Sequence, residues 1–471
     1  MFLGDIPPRR IGLVVDHPQR DLDGLCLVAQ LLAERGHETV LLPFYTQHFD
    51  LPNVALDAIV LNYVRPANLA LAKAAAARGI ALVVLDTEGG LIPENGPTSA
   101  KGIARFLRSS GLDMQLALYL FWGEHLRETI AAETRLDPQR LIVTGCPRFD
   151  LSQPSYSRAQ FRKDRVLVNT NFPVANPAHS GGSSTDAKAM GSVGFSEREI
   201  ADLAMIVREA MDNMIEAVRA LACARPKLHF AIRPHPFERA EPYKRAFADL
   251  ANVSIEREGT AMEALAGSRC LLHINCTTAI EAVLTNVPPI SLDFVNSDRL
   301  EAMARLPSQI SHRAGHLEAA LNLIDRAETL PPGQAHDCIT PFFGALDGKA
   351  AIRAAEVLAS APLPSSAGSE RQPLRRRITA SLGAAIGSSA IEDLRRKFSP
   401  ARSAKSFSAE EVRRRIERLA RAHGQDPAKV DQLRSGLGLP IEALKLSPSP
   451  SREAHEFNAF GPNEDPQNAR R

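Results

Sequence analysis

Short runs of apolar residues alternate with amphipathic stretches through the first 150 residues, and the alternation predicts strands and helices in turn. Residues 11–15, 39–42, 58–61, 81–85, 116–121 and 141–144 are continuous apolar runs of strand length. Between them, 22–35 and the Ala-rich 67–78 carry helical spacing and stop at Gly36 and Gly79, with a further helix near 124–133. Runs that are apolar at every position belong to strands buried on both faces, so the pattern predicts a parallel sheet covered by helices. Residues 147–165 break the pattern and read as a connection. A second alternating block follows: a strand at 166–169, a helix at 197–223, a strand ending at Arg233, a helix after Pro242, a short strand near Val253, a strand at 270–274, a helix at 277–284 and a strand at 289–292. Helices at 317–327 and 348–359 are expected to close this block. The polar stretch 173–194 is too long for a plain connector and reads as a lid or a disordered loop.

From about residue 362 the composition turns to Ser, Pro, Arg and Ala without a strand signal. Ser408-Ala-Glu-Glu411 is a capping box, Val412, Ile416 and Leu419 share a face and Gly424 is a stop, so one helix is predicted at 409–423. A second short helix is expected at 427–433, and the remainder reads as disordered. The expected fold class is therefore α/β: two Rossmann-like parallel-sheet domains facing a cleft, at 1–150 and 165–361, with a partly disordered, basic, helical tail at 362–471. A chain of 471 residues exceeds a single ordinary core, which agrees with two domains.

Charge sharpens this division. The net charge of +2 is unevenly spread: residues 371–471 hold 20 Lys/Arg against 12 Asp/Glu, leaving the body mildly acidic. The basic helix is a solvated appendage or a contact to an anionic membrane surface or a partner. Six scattered cysteines without short paired spacing read as small core residues rather than disulfides or zinc ligands. No signal peptide or spanning run is evident, so the expected location is cytoplasmic, with peripheral contact at the inner membrane through the tail. Gly-x-Gly-x-x-Gly and Walker patterns are absent, which disfavours dehydrogenases and ATPases. Basic residues are not interleaved with aromatics as nucleic-acid binding would require. No metal or other cofactor is expected.

The candidate chemistry sits where strands end. Ile232-Arg233-Pro234-His235-Pro236 stops a strand with two prolines and leaves a guanidinium and an imidazole at its carboxyl end, where open α/β sheets bind ligands. Those donors suit a phosphate, although a plain Pro-rich turn would look the same in isolation. Asn275-Cys276-Thr277-Thr278 runs from a strand into a helix whose first N–H groups and hydroxyls also suit phosphate; Glu281, one turn on, could accept from ribose hydroxyls or simply complete a cap. In the first domain Asp86-Thr87-Glu88-Gly89-Gly90 delivers two carboxylates and a tight turn, and either acid could deprotonate an acceptor hydroxyl. His17, Asn169 and Asn171, at other strand ends, are cleft candidates. Asp21-x-Asp23 reads as a helix cap before a metal site.

With these residues the chain resembles the bacterial surface carbohydrate biosynthesis proteins and, more distantly, the GT-B glycosyltransferases of capsule assembly, among them sialyl- and polysialyltransferases, Kdo transferases and CDP-glycerol glycerophosphotransferases. The resemblance covers roughly residues 10–360. It implies that Glu88, the acid before Gly89, is the general base, with Thr87 replacing the family's first acid and Asp86 as the competing base. It implies that His235 of His235-Pro236 contacts the nucleotide phosphate and that Thr277-Thr278 binds phosphate. The function expected is a metal-independent glycosyltransferase, or a glycerophosphotransferase, of capsule or lipopolysaccharide assembly. It would use a CMP- or CDP-linked donor and a glycan or lipid-linked acceptor. A nonhydrolysing UDP-sugar 2-epimerase and a catalytically silent assembly protein are the alternatives.

Overall fold

Each apolar run of the first block forms a strand: β1 (Arg10–Val15), β2 (Glu38–Pro43), β3 (Ala58–Leu61), β4 (Ala81–Leu85), β5 (Leu116–Phe121) and β6 (Leu141–Val143). The computed structural model describes residues 7–93, 96, 98–153, 156, 164–178, 190–191, 195–303, 305–327, 335–363, 383 and 385–449. These six strands lie in the order β2-β1-β3-β4-β5-β6, all parallel. The second block forms a separate parallel sheet from β7 (Arg165–Asn169), β8 (His229–Arg233), β9 (Val253–Ile255), β10 (Cys270–His273), β11 (Pro289–Leu292) and β12 (His312–Ala314), ordered β9-β8-β7-β10-β11-β12. Helices cover both faces, so the inner strands are buried at nearly every position and show no polar alternation, while β6, β9 and β12 at the edges are only partly buried. The strand β12 escaped the sequence reading because its His-Arg-Ala run is not apolar.

Strand order places the ligand site. In the first sheet the chain leaves β1 to one side for β2 and returns to the other for β3. In the second it does the same between β7 and β10. A crevice opens at the carboxyl ends of strands where winding reverses, because the connecting helices diverge onto opposite faces there.

The C-terminal quarter departs from expectation. The helix Ala350–Ser360, expected to close the second domain, packs on the first: Ala351, Ala354, Ala355 and Leu358 are buried against the helix Asp23–Glu34. Asp150 accepts from the Ala350 and Ala351 N–H groups at 3.1 and 2.7 Å, fixing the start of that helix on the first domain. The stretch beyond 362 is not strandless. The segments β13 (Lys429–Arg434) and β14 (Pro440–Ser447) form an antiparallel hairpin around Gly436–Gly438, and β14 pairs antiparallel with β2, extending the first sheet to eight strands. The helix expected at 427–433 is therefore strand β13; its Val430 turns inward between exposed Lys429 and half-buried Asp431, an alternation too short to stand out.

The helix Ala409–His423 forms with its Ser408 cap and a left-handed Gly424 stop. It is no solvated appendage, because Val412, Ile416, Leu419 and Ala420 are buried in the first domain's core. Of the remainder expected to be disordered, 434–471, residues 440–447 form β14 instead, because their buried side chains pack into the cores on the first sheet; 450–471, and most of the expected lid, 179–189 and 192–194, lie outside the described residues. Cys26, Cys146, Cys270 and Cys276 are buried and Cys223 and Cys338 exposed, all as free thiols. No described helix is long and apolar enough to cross a membrane.

Candidate functional site

Both crevices open onto one cavity of about 1340 Å³ between the sheets. From the first domain it is lined by His17 and Arg20 after β1, Tyr63 and Arg65 after β3, and Thr87 and Glu88 after β4; from the second by Asn169–Asn171 after β7, Arg233–Phe237 after β8, and Cys276–Thr278 with Glu281 after β10. Of the residues singled out in the sequence, Glu88, Arg233, His235, Pro236, Thr277, Thr278, Glu281, His17, Asn169 and Asn171 come together there; Asp86 and Asn275 do not line it.

The first-domain wall is ionic. Arg20 donates to Glu88 at 2.8 Å, to Asp16 at 2.7 Å, to Asp21 at 2.7 Å and to the Thr87 hydroxyl at 3.2 Å. Arg65 holds the other Glu88 oxygen at 2.5 Å and lies over the Tyr63 ring. Enclosure in the cleft wall alone would raise the Glu88 pKa, but Arg65 and Arg20 outweigh it and hold the carboxyl down to about 2. Asp86 sits beneath, its Oδ1 accepting from the Glu88 N–H at 2.8 Å. Burial, against the pull of Arg65, pushes Asp86 up to about 6. Gly89 and Gly90 were expected to give a ligand room; instead they admit packing, since a Cβ at Gly90 would stand 2.6 Å from the Phe343 ring and 2.7 Å from Trp122. The expected cap residues Asp21 and Asp23 serve as ion-pair partners, Asp21 of Arg20 and Asp23 of Arg415 and Arg418.

The second-domain wall is held mainly by neutral hydrogen bonds. Asn169 donates to the Thr278 hydroxyl at 2.9 Å. Glu238, wholly buried, accepts from the Thr170 hydroxyl at 2.9 Å, the Phe172 N–H at 2.8 Å and the Tyr243 hydroxyl, tying the loop after β7 to the loop after β8. The Phe237 N–H donates to His235 Nδ1 at 3.3 Å, which leaves the proton on Nε2. Burial, reinforced by Arg20 across the cleft, pushes His235 down to about 4, so the ring is a neutral donor. His17, 4% exposed, stands edge-on to Phe237 at 5.2 Å, and its Nε2 has no hydrogen-bond partner among the described residues.

Three expectations change at this wall. The two Arg233 Nη groups donate to the Glu258 and Gly259 carbonyls at 2.6 and 2.5 Å, so Arg233 orders the loop that carries Thr260–Glu263 into the cavity. Glu281 faces Arg148 of the first domain at 3.6 Å, an interdomain ion pair where a ribose contact was expected. Asn275 adopts φ 43° and turns its side chain to Asn296 and Ser308, away from the cavity; Asn tolerates this left-handed conformation better than most residues.

Sequence reasoning missed Arg20, Arg65, Arg148, Glu238 and Lys405. Arg65-Pro66 repeats, after β3, the strand-end cation and proline of Arg233-Pro234, and Pro147-Arg148 places a cation beside proline after β6. Lys405 carried no such signal. It comes from the C-terminal segment, donates to Asp16 at 2.9 Å and lies 4.6 Å over the Phe44 ring. Arg418 and Arg421 line the cavity from the helix Ala409–His423.

No family model matches the chain, and no curated protein matches it. Among solved structures it is similar to UDP-GlcNAc 2-epimerase from Methanocaldococcus jannaschii, with a TM-score of 0.47 and 13% identity over 74% of this chain and 99% of that one. It is also similar to the wall teichoic acid polymerase TagF, with a TM-score of 0.45 and 12% identity over 75% and 88%. A third is the glycotransferase of kitacinnamycin, with a TM-score of 0.42 and 13% identity over 75% and 99%.

Proposed function

We propose that the chain is an enzyme that transfers a sugar or glycerophosphate from a nucleotide-activated donor to an acceptor hydroxyl inside this cavity. The observation that carries the reading is the meeting of two switch-point crevices, one of neutral donors and one of paired charges, on a single space. At about 1340 Å³ it exceeds the roughly 300–1,000 Å³ of ordinary small-molecule pockets and has room for two substrates.

In this reading the donor's phosphates rest on the second wall, where His235 Nε2–H, the Asn171 amide and the Thr277 hydroxyl donate without surrendering an ion pair. The acceptor oxygen attacks the transferred group and the bond to the leaving nucleotide phosphate breaks. These preorganised donors take up the charge that develops on that phosphate. The acceptor's proton goes to Glu88, the acid that lines the cavity; Asp86 beneath it shapes the loop. Glu88 regains basicity when Arg20 and Arg65 turn toward an anionic substrate, which couples proton transfer to substrate arrival.

Calorimetric titration with CMP, CDP, UDP and GDP tests the donor half. Binding of at least one nucleotide is expected, weakened about tenfold or more in His235→Ala. In Glu88→Gln the nucleotide should bind unchanged while transfer falls by about 10²-fold or more. No binding of any nucleotide would remove the reading and favour the catalytically silent assembly role.

A second reading draws on Asp16, Asp23, Glu88, Glu263 and Glu281, which all line the cavity. Carboxylates converging on a sugar ring suit a UDP-sugar 2-epimerase. Turnover of UDP-N-acetylglucosamine without an acceptor would decide for it.

A further inference from the structure

Eight large apolar side chains are exposed among the described residues, and four fall within thirteen positions: Ile386 (48%), Ile391 (39%), Leu394 (56%) and Phe398 (82%). Positions 391, 394 and 398 are three and four apart in the helix Ser389–Phe398 and so share one face. The polar side is the anchored one. Glu392 is buried and accepts from Arg402 at 2.7 Å, Arg396 pairs with Glu442 of β14, and Ser388 bridges to Ile441. A surface helix ordinarily buries its apolar stripe and shows its charges. This one does the reverse, which costs stability unless something covers the stripe.

Charge and size indicate the cover. Residues 385–405 hold five Lys/Arg against two Asp/Glu; Arg395 and Arg402 pair with Glu392, Arg396 with Asp393 and Glu442, and Lys405 with Asp16, so Lys397 is the cation left to face outward. Lys397 is exposed beside Phe398. The stripe offers on the order of 400 Å², about half of what each partner buries in a stable protein interface. Phe398 protrudes instead of lining a groove. Apolar insertion beside an exposed cation matches an anionic lipid surface.

We propose that the helix Ser389–Phe398 docks the protein on an anionic membrane, with Leu394 and Phe398 entering the headgroup boundary and Lys397 meeting lipid phosphates. The docking element is thus this helix, and not the basic helix Ala409–His423, whose apolar face is already used. The chain continues directly into Arg402, over the Tyr45 ring, and Lys405; Tyr45 and Lys405 line the cavity. Docking therefore holds the cavity near the membrane; a lipid-linked acceptor as its purpose rests on the transfer reading, while the docking does not.

Flotation of the full chain with phosphatidylglycerol/phosphatidylethanolamine vesicles, and separately with phosphatidylcholine vesicles, tests this. Binding to the anionic vesicles is expected, at least tenfold weaker to phosphatidylcholine. Leu394→Glu/Phe398→Glu should lose at least tenfold of it with an unchanged thermal midpoint, and the tryptophan emission of Phe398→Trp should shift to the blue on binding. Absence of vesicle binding by the native chain, or undiminished binding by the double variant, overturns the proposal. So does a dimer in sedimentation that the double variant converts to monomer, since the stripe would then be a protein interface. Nucleotide titration without vesicles reports on the transfer reading alone, so the two can fail separately.

Discussion

The cavity's two walls use opposite means to hold polar groups at a sheet edge. On the first, Arg20, Arg65 and Lys405 are locked to Asp16, Asp21 and Glu88, drawn from positions 16 to 405 of the chain. On the second, Asn169, Thr170 and His235 are held by neutral groups and by one buried carboxylate, Glu238. An anion reaching the second wall finds donors without breaking a bond. At the first it must displace a carboxylate from two guanidinium partners, and those charge-assisted bonds set a higher cost. The difference separates a place for a substrate's permanent negative charge from a place where charge and protons are moved.

The comparison breaks most readily at the props of the ionic wall. Ile416 is fully buried between the helix Ala409–His423 and the first domain. Its truncation in Ile416→Ala should cost about 2–5 kcal/mol in chemical denaturation. Lys405, carried by the same C-terminal segment, should loosen with it. A loss within about 0.5 kcal/mol, as for an ordinary surface substitution, would return this helix to the status of an appendage.

The neutral wall should yield less. Glu238→Gln keeps the shape but replaces a carboxyl that accepts from Thr170, Phe172, His235 and Tyr243 with an amide that must turn one donor inward. A loss of about 1–3 kcal/mol is expected from leaving buried groups poorly paired. Nucleotide affinity should fall as well, because the Thr170 and His235 loops would part. Unchanged denaturation and titration would show that Glu238 does not hold this wall.

The two walls also differ in how far they could be read from the chain. The neutral wall was legible because each part sits at the end of a continuous apolar run: Asn169 after β7, His235 after β8, Thr277 and Thr278 after β10. Local sequence sets both the strand and the turn that leaves it. Within the ionic wall Glu88 was visible for the same reason. Arg65-Pro66 carried the signal already used at Arg233-Pro234, though in a loop that gave no second cue. Lys405 was out of reach, since a hairpin pairing with β2 from about 400 residues away depends on an edge left open by a strand whose own sequence shows only that it is buried. The same long-range pairing removed Val412, Ile416 and Leu419 from solvent and inverted the expected use of the tail.

A smaller effect sharpens the assignment of the base. Arg65→Gln removes the larger of the two charges holding Glu88 down, so its pKa should climb from about 2 toward the ordinary 4.5. The acidic limb of the pH–rate profile should move up with it, while nucleotide affinity at the other wall changes little. A limb that stays in place would detach Glu88 from the proton transfer.

The smallest effects separate the walls by pH. Glu88 is depressed from 4.5 to about 2 in the folded protein, so between those values the unfolded chain binds more protons. Its contribution to stability is complete above pH 4.5 and is lost as pH falls toward 2. His235 is depressed from 6.5 to about 4 by burial, so acid favours unfolding earlier, as pH falls from 6.5 to 4. Many other groups titrate in these ranges, but they cancel when variant and native curves are subtracted. The difference curve of His235→Asn should slope between about pH 4 and 6.5 and lie flat below. That of Glu88→Gln should be flat above about 4.5 and slope beneath it. Both side chains face the cavity, which dilutes the amplitudes, so the test rests on the windows and not on their size. Coincident windows would mean that one wall's charge governs the other, and that the division between a neutral and an ionic face does not describe this cleft.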